Sequence, residues 1–61
     1  MENALFIEYL GERCQIMGIE EENDMVVFEG LETGLTTFMK RSQFEEKFVR
    51  QNALQIAPVV I

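Results

Sequence analysis

The sequence predicts a mainly β domain, a small five-stranded barrel or highly curved sheet with one short helix near residues 42–51. Two observations carry this prediction. Apolar and β-forming residues alternate with polar ones in several short runs, which is typical of half-buried strands. Residues 25–48 also form one continuous series of strand, glycine-bounded turn, strand and capped helical turn, which is most of a small barrel.

The 61 residues form a single domain, residues 1–61. A chain of that length buries only about 60% of the surface that its unfolded form exposes, so its stability as a monomer is marginal. Small domains compensate with disulfides, metals or oligomerisation. This chain has one cysteine, Cys14, and no histidine, so neither an intrachain disulfide nor a zinc site is expected. Self-association as a homo-oligomer is therefore the favoured source of stability, and no cofactor or metal is expected.

The first strand is predicted at Ala4–Leu10, where β-forming residues follow a period of two. A helix with Asn3 as its cap is the alternative for this segment. The second strand is predicted at Arg13–Ile19. Within it, Gly18 is either a bulge that bends the strand or a site of close backbone approach. Strict alternation places one set of side chains on a single face, namely Cys14, Ile16 and Gly18.

The third and fourth strands are predicted at Met25–Glu29 and Leu35–Lys40. The polar run at residues 20–24 contains Asn and Asp, which favour a turn before these strands. Gly30 and Gly34 favour a hairpin between them, because glycine adopts positive φ at little cost.

This hairpin also predicts an oligomer interface. With the turn centred on Thr33, Phe28 faces Phe38 across the strand pair. Val27 and Met39 then lie on the other face, so both faces are apolar. A thin barrel has only one interior, and the second face therefore requires a partner surface. The predicted oligomer interface consists of Val27, Leu35, Met39, Val59 and Ile61.

A short helix is predicted to begin at Ser42. Ser42 and Glu45 match the capping-box pattern, in which each side chain bonds the other residue's backbone N–H. Phe44 and Phe48 are one turn apart and are predicted to pack together, and Asn52 is the predicted stop.

The last strand is predicted within Ala53–Ile61, where Pro58 limits it to an edge position. The segment Gln51–Ile61 is uncharged, so it either closes its own sheet or adds to the sheet of a neighbour. It is also far shorter than the ~20 residues that a helix needs to cross a bilayer.

Four strands, a helical turn and a fifth strand resemble the SH3-like small barrels in the order of their elements. The series from Val26 to Phe48 is also similar to small uncharacterised bacterial domains of that shape. The resemblance implies a fold and no site residue. The aromatic clusters that hold peptides or methyl-lysine in better-known members of that class are missing from this sequence, which has no tryptophan.

Catalysis is not expected, because the chain has no histidine to act as a general base and no glycine-rich phosphate loop. Cys14 lies beside Ile16 in a predicted strand and is expected to be a small buried residue rather than a nucleophile. The acidic run at residues 20–24 lacks the alternating ligands and the glycine of a calcium loop. It is expected to be a solvated turn, or alternatively a contact for a basic partner.

The charge is unevenly distributed. The net charge of −6 opposes general nucleic-acid binding, which depends on neutralising phosphates. The basic residues concentrate between positions 40 and 50, where they lie among phenylalanines, a mixture that suits an anionic ligand. The alternative is a solvated helix face over core aromatics, with Glu46 placed to pair with Arg50. The candidate residues for ligand or partner binding are Lys40, Arg41, Lys47 and Arg50.

Three functional hypotheses follow. The first is a non-enzymatic binding or inhibitor module that occupies or sequesters a protein partner, encoded by a phage or another mobile element. The second is an oligomeric protein that sequesters a small anionic ligand such as a nucleotide. The third is an acidic mimic of nucleic acid. A free thiol and an N-terminus with acids in place of positive charge predict a cytoplasmic protein that does not enter a membrane.

Overall fold

Five antiparallel strands and one short helical segment make up the fold, which a computed structural model describes for residues 3–58. The elements are β1 Asn3–Tyr9, β2 Glu12–Glu20, β3 Met25–Gly30, β4 Thr36–Lys40, α1 Arg41–Phe44 and β5 Gln55–Pro58. The helical segment consists of α1 and a π-helical turn, Glu45–Val49, that continues it. The sheet has the order β4-β3-β2-β1-β5. The mainly β fold with one short helix is confirmed, and the sheet is open, with β4 and β5 at its edges.

The first hairpin confirms a strand, and not a helix, at the start of the chain. Tyr9 lies opposite Glu12, so Leu10 and Gly11 form a two-residue turn between β1 and β2. Both turn residues have positive φ, 53° at Leu10 and 81° at Gly11. Two successive positive φ values are typical of a type I′ turn, whose twist matches that of the flanking strands.

A bulge interrupts the β2–β3 pairing. Ile16 lies opposite Phe28 and Gly18 opposite Val27, so Met17 is an extra residue in β2. The predicted bulge at Gly18 is thus confirmed, but the predicted sharing of one face by Cys14, Ile16 and Gly18 is wrong. An inserted residue reverses the alternation beyond it. Gly18 therefore lies on the face of Val27, and Ile19 returns to the opposite face.

The β3–β4 register differs by one residue from the predicted one. Val27 lies opposite Phe38, and Val26 lies opposite Met39. The loop leaves Gly30 bonded to Leu35, with the Gly30 N–H donating to the Leu35 carbonyl at 3.0 Å. Because side chains alternate with a period of two, this shift places Phe38 on the face opposite Phe28.

The core lies on one face of the sheet, here called the inner face, where the helical segment covers it. Phe28 is fully buried, and Phe44 and Phe48 from the helical segment pack with it. Tyr9 contacts Phe28 edge-on, with 5.1 Å between ring centroids. Such aromatic pairs add about 0.5–1.5 kcal/mol beyond the burial of their area. The other buried members of this cluster are Ile7, Cys14 and Val26.

The helical segment begins one residue earlier than predicted and without the predicted cap. Lys40 is the N-cap residue, and no side chain caps the helix, so the expected Ser42–Glu45 capping box does not form. The helix instead begins at Arg41, whose N–H donates to the Asp24 carbonyl at 3.0 Å. This hydrogen bond fixes the start of the helix to the turn between β2 and β3. The predicted packing of Phe44 against Phe48 is confirmed, with ring centroids 5.0 Å apart and the rings tilted by 45°.

The helical segment ends at Val49, and the predicted stop, Asn52, lies in the turn that follows it. Asn52 has a φ of 54°. Its N–H donates to the Val49 carbonyl at 3.2 Å, and the Ala53 N–H donates to the Phe48 carbonyl at 2.8 Å. This pair of bonds is the Schellman arrangement, which satisfies the last carbonyls of a helix. The chain then enters β5, an edge strand paired with β1, as the proline predicted.

Candidate interaction surfaces

Two residues of the predicted basic cluster, Arg41 and Lys47, lie at different hollows of the surface. Arg41 forms ion pairs with Asp24 at 3.5 Å and with Glu45 at 3.3 Å. It lies beside a groove on one side of the helical segment, whereas Lys47 lines a different hollow. Lys40 is exposed at the end of β4. The predicted Glu46–Arg50 ion pair is not formed within residues 3–58.

Lys47 stands over an aromatic ring at the edge of the core. Its Nζ lies 5.9 Å from the centroid of the Tyr9 ring, within the range of a cation–π contact. The adjoining hollow has a volume of about 550 Å³ and is lined in part by Gln43, Glu46 and Gln51. It therefore presents one cation, one carboxylate and two amides, a set with no net charge.

The predicted interface residues lie on different surfaces. Val27 is half-buried on the face of the sheet away from the core, here called the outer face. Met39 lies on the inner face and packs against the core cluster. Leu35 is 68% exposed in the loop before β4. The interface role of these residues stays a prediction, and its C-terminal members Val59 and Ile61 lie outside the described residues.

An apolar groove, which sequence reasoning missed, lies between the inner face and the helical segment. It has a volume of about 370 Å³. Ile19 and Val49 stand on its two sides and are 48% and 46% exposed. The bulge creates this groove, because it turns Ile19 inward beyond the part of the core that the phenylalanines fill. The other apolar residues along the groove are Leu5, Ile16, Val26, Phe44 and Leu54.

The acidic turn at residues 20–24 directly follows Ile19, which lines this groove. Glu20 closes the turn locally, because its carboxylate accepts a hydrogen bond of 2.8 Å from the Asn23 N–H. Asp24 pairs with Arg41, which itself lines the groove. Within residues 3–58, no group of three or more His, Cys, Asp or Glu side chains is placed to hold a metal ion. The turn is therefore joined to the groove through Ile19 and Arg41, and it forms no recognisable cation site in this part of the chain.

A second carboxylate with a specific role is Glu12, which no sequence pattern singles out. Its carboxylate accepts hydrogen bonds from the Glu32 N–H and the Thr33 N–H, both at 3.1 Å. The Thr33 hydroxyl donates a third, at 2.8 Å. These bonds, that from the hydroxyl foremost, lower the pKa of Glu12. Glu12 is thus a structural clamp on the β3–β4 loop.

Cys14 has the surroundings expected of a core residue. Its side chain is 3% exposed within the core cluster. Burial, and secondarily the charge of Glu12, raises the pKa of the thiol. A raised pKa keeps the thiol protonated, whereas the thiolate is the reactive form. The prediction that Cys14 is a buried small residue is confirmed.

No known protein family, no curated protein and no solved structure matches this chain. Among residues 3–58, none of the helices has the length and apolar character that crossing a bilayer requires. Functional inference therefore rests on the surfaces described above.

Proposed function

We propose that this chain is a non-enzymatic binding module that occupies a basic protein partner through the apolar groove and the acidic turn beside it. The observation that supports this most directly is the groove itself, which leaves large aliphatic side chains half-exposed next to the core. In the order of its elements the domain also resembles SH3-like barrels, and we propose it as a variant of that class.

The groove suits a short apolar segment of a partner. Its volume, about 370 Å³, accommodates one or two large side chains. The walls come from a sheet and a helical segment that the same phenylalanine core holds in place, so the groove is formed before binding. Preorganised apolar pockets of this kind receive the anchor residues that contribute most of the binding energy in protein interfaces.

The charge around the groove selects the partner. Glu21 and Glu22 are exposed in the turn that follows Ile19. Among residues 3–58, Arg41 is the cation that lines the groove, and it forms ion pairs with both Asp24 and Glu45. The local charge around Arg41 is therefore negative. A partner segment that combines apolar anchors with Lys or Arg is therefore complementary. Charge complementarity of this kind mainly accelerates association and sets its salt dependence.

The test compares groove and non-groove variants in affinity capture from cells, followed by titration of the captured protein. Val49→Asp introduces a charge into the groove and is expected to abolish capture. Leu31→Asp is the matched control, because Leu31 is 52% exposed in the β3–β4 loop, away from the groove. It is expected to capture as the unchanged chain does. Circular dichroism melting checks that both variants fold.

Neutralisation of the turn tests the charge component. Glu21→Gln with Glu22→Gln leaves the contacts of Glu20 and Asp24 in place. It is expected to slow association with the captured partner and to flatten its salt dependence, with a smaller effect on dissociation. Equal capture by Val49→Asp and the unchanged chain, or a captured partner that is acidic, contradicts the proposal.

The anionic-ligand and nucleic-acid-mimic hypotheses have less support from the geometry. The ligand hypothesis relied on Lys40, Arg41 and Arg50 acting together, and Arg41 is already paired with two carboxylates. The mimic hypothesis needs a continuous display of acids, and two of them, Glu12 and Glu20, are held by hydrogen bonds from their own chain. A thermal-shift screen against nucleotides tests the ligand hypothesis directly, because ligand at 100 times its dissociation constant stabilises by about 2.7 kcal/mol.

A further inference from the structure

We infer that the outer face of the sheet is a self-association surface, on which a second copy of this chain packs about a two-fold axis parallel to β3. This goes beyond partner binding, because it uses the opposite side of the sheet and leaves the groove open. The inference does not depend on the proposed function.

The outer face is apolar at its centre and uncovered. The helical segment packs on the inner face, and no other element within residues 3–58 lies against the outer one. Phe38 is nevertheless 55% exposed there, beside half-buried Val27. Met17, the bulge residue, is 57% exposed.

The central row of this face is complementary to its own reverse. Across three strands it reads Phe38 on β4, Val27 on β3 and Gly18 on β2. No atom lies within 4 Å of the point where a Gly18 side chain would begin, so this end of the row is open and carries no side chain. The row thus has a large aromatic side chain at one end and none at the other. A two-fold axis along β3 exchanges β4 with β2, so each Phe38 lies over Gly18 of the second copy.

The charges in the neighbouring row of the outer face support the same two-fold axis. It reads Lys40, Met25 and Glu20 across the same three strands. The axis that brings Phe38 to Gly18 also brings Lys40 of each copy opposite Glu20 of the other. A two-fold axis across the strands instead places Phe38 on Phe38 and separates Lys40 from Glu20. Complementary charges therefore favour the axis along β3 and fix its register.

One contact, between the two copies of Glu29, opposes this arrangement and provides a further test of it. Glu29 lies in the row on the other side of Val27, on β3 itself. The axis along β3 brings the two Glu29 carboxylates together. Like charges at close range repel, so the dimer dissociates on dilution and replacement of Glu29 by Gln strengthens it.

Sedimentation equilibrium from micromolar to millimolar protein is the first experiment. The unchanged chain is expected to pass from monomer to dimer over that range. Phe38→Ser is expected to remain a monomer, whereas Ile56→Ser is expected to dimerise normally. Ile56 is the control because it is 68% exposed and pairs with Leu5 at the other edge of the sheet, on the inner face.

A charge swap tests the axis. Lys40→Glu alone and Glu20→Lys alone each place like charges opposite each other at two symmetry-related positions, so each is expected to weaken the dimer several-fold. The double variant restores opposite charges and is expected to recover most of the loss. Since Glu20 also bonds Asn23, melting curves of the single and double variants separate loss of fold from loss of pairing.

Disulfide crosslinking through introduced cysteines tests the position of the two-fold axis independently of the charge variants. Val27→Cys places thiols on the axis and is expected to form a disulfide-linked dimer rapidly under mild oxidation, while Ile56→Cys does not. Native Cys14 is buried and does not interfere. A chain that stays monomeric at all concentrations overturns the inference, as does a folded double charge variant that fails to recover. Faster crosslinking through Ile56→Cys than through Val27→Cys overturns it as well. A dimer that forms normally while no partner is captured supports this inference and removes only the proposed function.

Discussion

Thr33 donates two hydrogen bonds to the carboxylate of Glu12, one from its backbone N–H at 3.1 Å and one from its hydroxyl at 2.8 Å. Glu12 begins β2, and Thr33 lies 21 residues later in the loop between β3 and β4. A single side chain at the start of β2 thus holds the loop between β3 and β4. The loop needs this anchor because its two leucines, Leu31 and Leu35, are 52% and 68% exposed and do not hold it by packing.

Replacement of Glu12 is expected to weaken the dependence of stability on pH in the acidic range. The folded pKa of Glu12 is lowered below its unfolded value, so its contribution is complete above the unfolded pKa and is lost as the pH falls through the folded pKa. Urea midpoints of the unchanged chain and of Glu12→Gln should therefore differ at neutral pH and converge below the usual carboxylate range. A difference that persists at low pH contradicts a role for the charge. Thr33→Val, which removes the hydroxyl that donates to Glu12 and accepts from the Leu35 N–H, should also lower the midpoint at neutral pH.

Gly30→Ala is expected to be harmful only while Glu12 is present. The Glu12 carboxylate occupies the position of the missing Gly30 side chain, so an added methyl group displaces it. With Glu12→Ala as background, the same change fills open space and removes glycine from a strand end, which is expected to be neutral or stabilising by up to about 1 kcal/mol. A double-mutant cycle by chemical denaturation measures this coupling. Equal effects in both backgrounds would sink the clamp interpretation.

Leu10→Asn is expected to raise the melting temperature. Leu10 has a φ of 53° and is 86% exposed, so it has an unfavourable backbone conformation without compensating burial. The left-handed region costs most L-residues about 1–2 kcal/mol, and asparagine tolerates it best. A gain of about 1 kcal/mol corresponds to roughly 4–8 °C in a domain of this size. Leu10→Ala is the control, because it removes the same side chain without relieving the backbone. A gain of similar size in that control would attribute the effect to the leucine side chain alone.

Alanine substitutions at the two ends of the helical segment are expected to change the free energy of unfolding by different amounts. Ser42 makes no cap hydrogen bond, so Ser42→Ala should change the free energy of unfolding by less than about 0.5 kcal/mol, and not by the ~1 kcal/mol of a lost cap. Asn52→Ala places a β-carbon at a φ of 54° and should cost about 1 kcal/mol, whereas Asn52→Gly should be close to neutral. Thermal denaturation of the three variants checks this order. A larger loss from Ser42→Ala than from Asn52→Ala would reverse the assignment.

The sequence by itself determined the strands and the helix of this protein and several of the turns and ends that bound them. The period-two runs predicted all of the strands, and the predicted stop, Asn52, lies in the turn after the helical segment. Of the two glycines predicted to turn the hairpin between β3 and β4, Gly34 has a positive φ, whereas Gly30 ends β3 without one. Phe44 and Phe48 were predicted to pack together because a helix brings residues four apart onto one side. These features depend on residues close in sequence, whose preferences a pattern expresses directly.

Only the tertiary structure decided the register of the strands and therefore the composition of each surface. The bulge at Met17 moved Ile19 to the inner face and formed the groove, and a shift of one residue between β3 and β4 moved Phe38 outward. The start of the helix was set by the bond from Arg41 to Asp24 and not by Ser42. Local pattern could not reveal these outcomes, because a one-residue slip preserves the alternation while exchanging its two faces. The choice between slips is made by contacts such as that of Glu12 with Thr33, which join residues far apart in the chain.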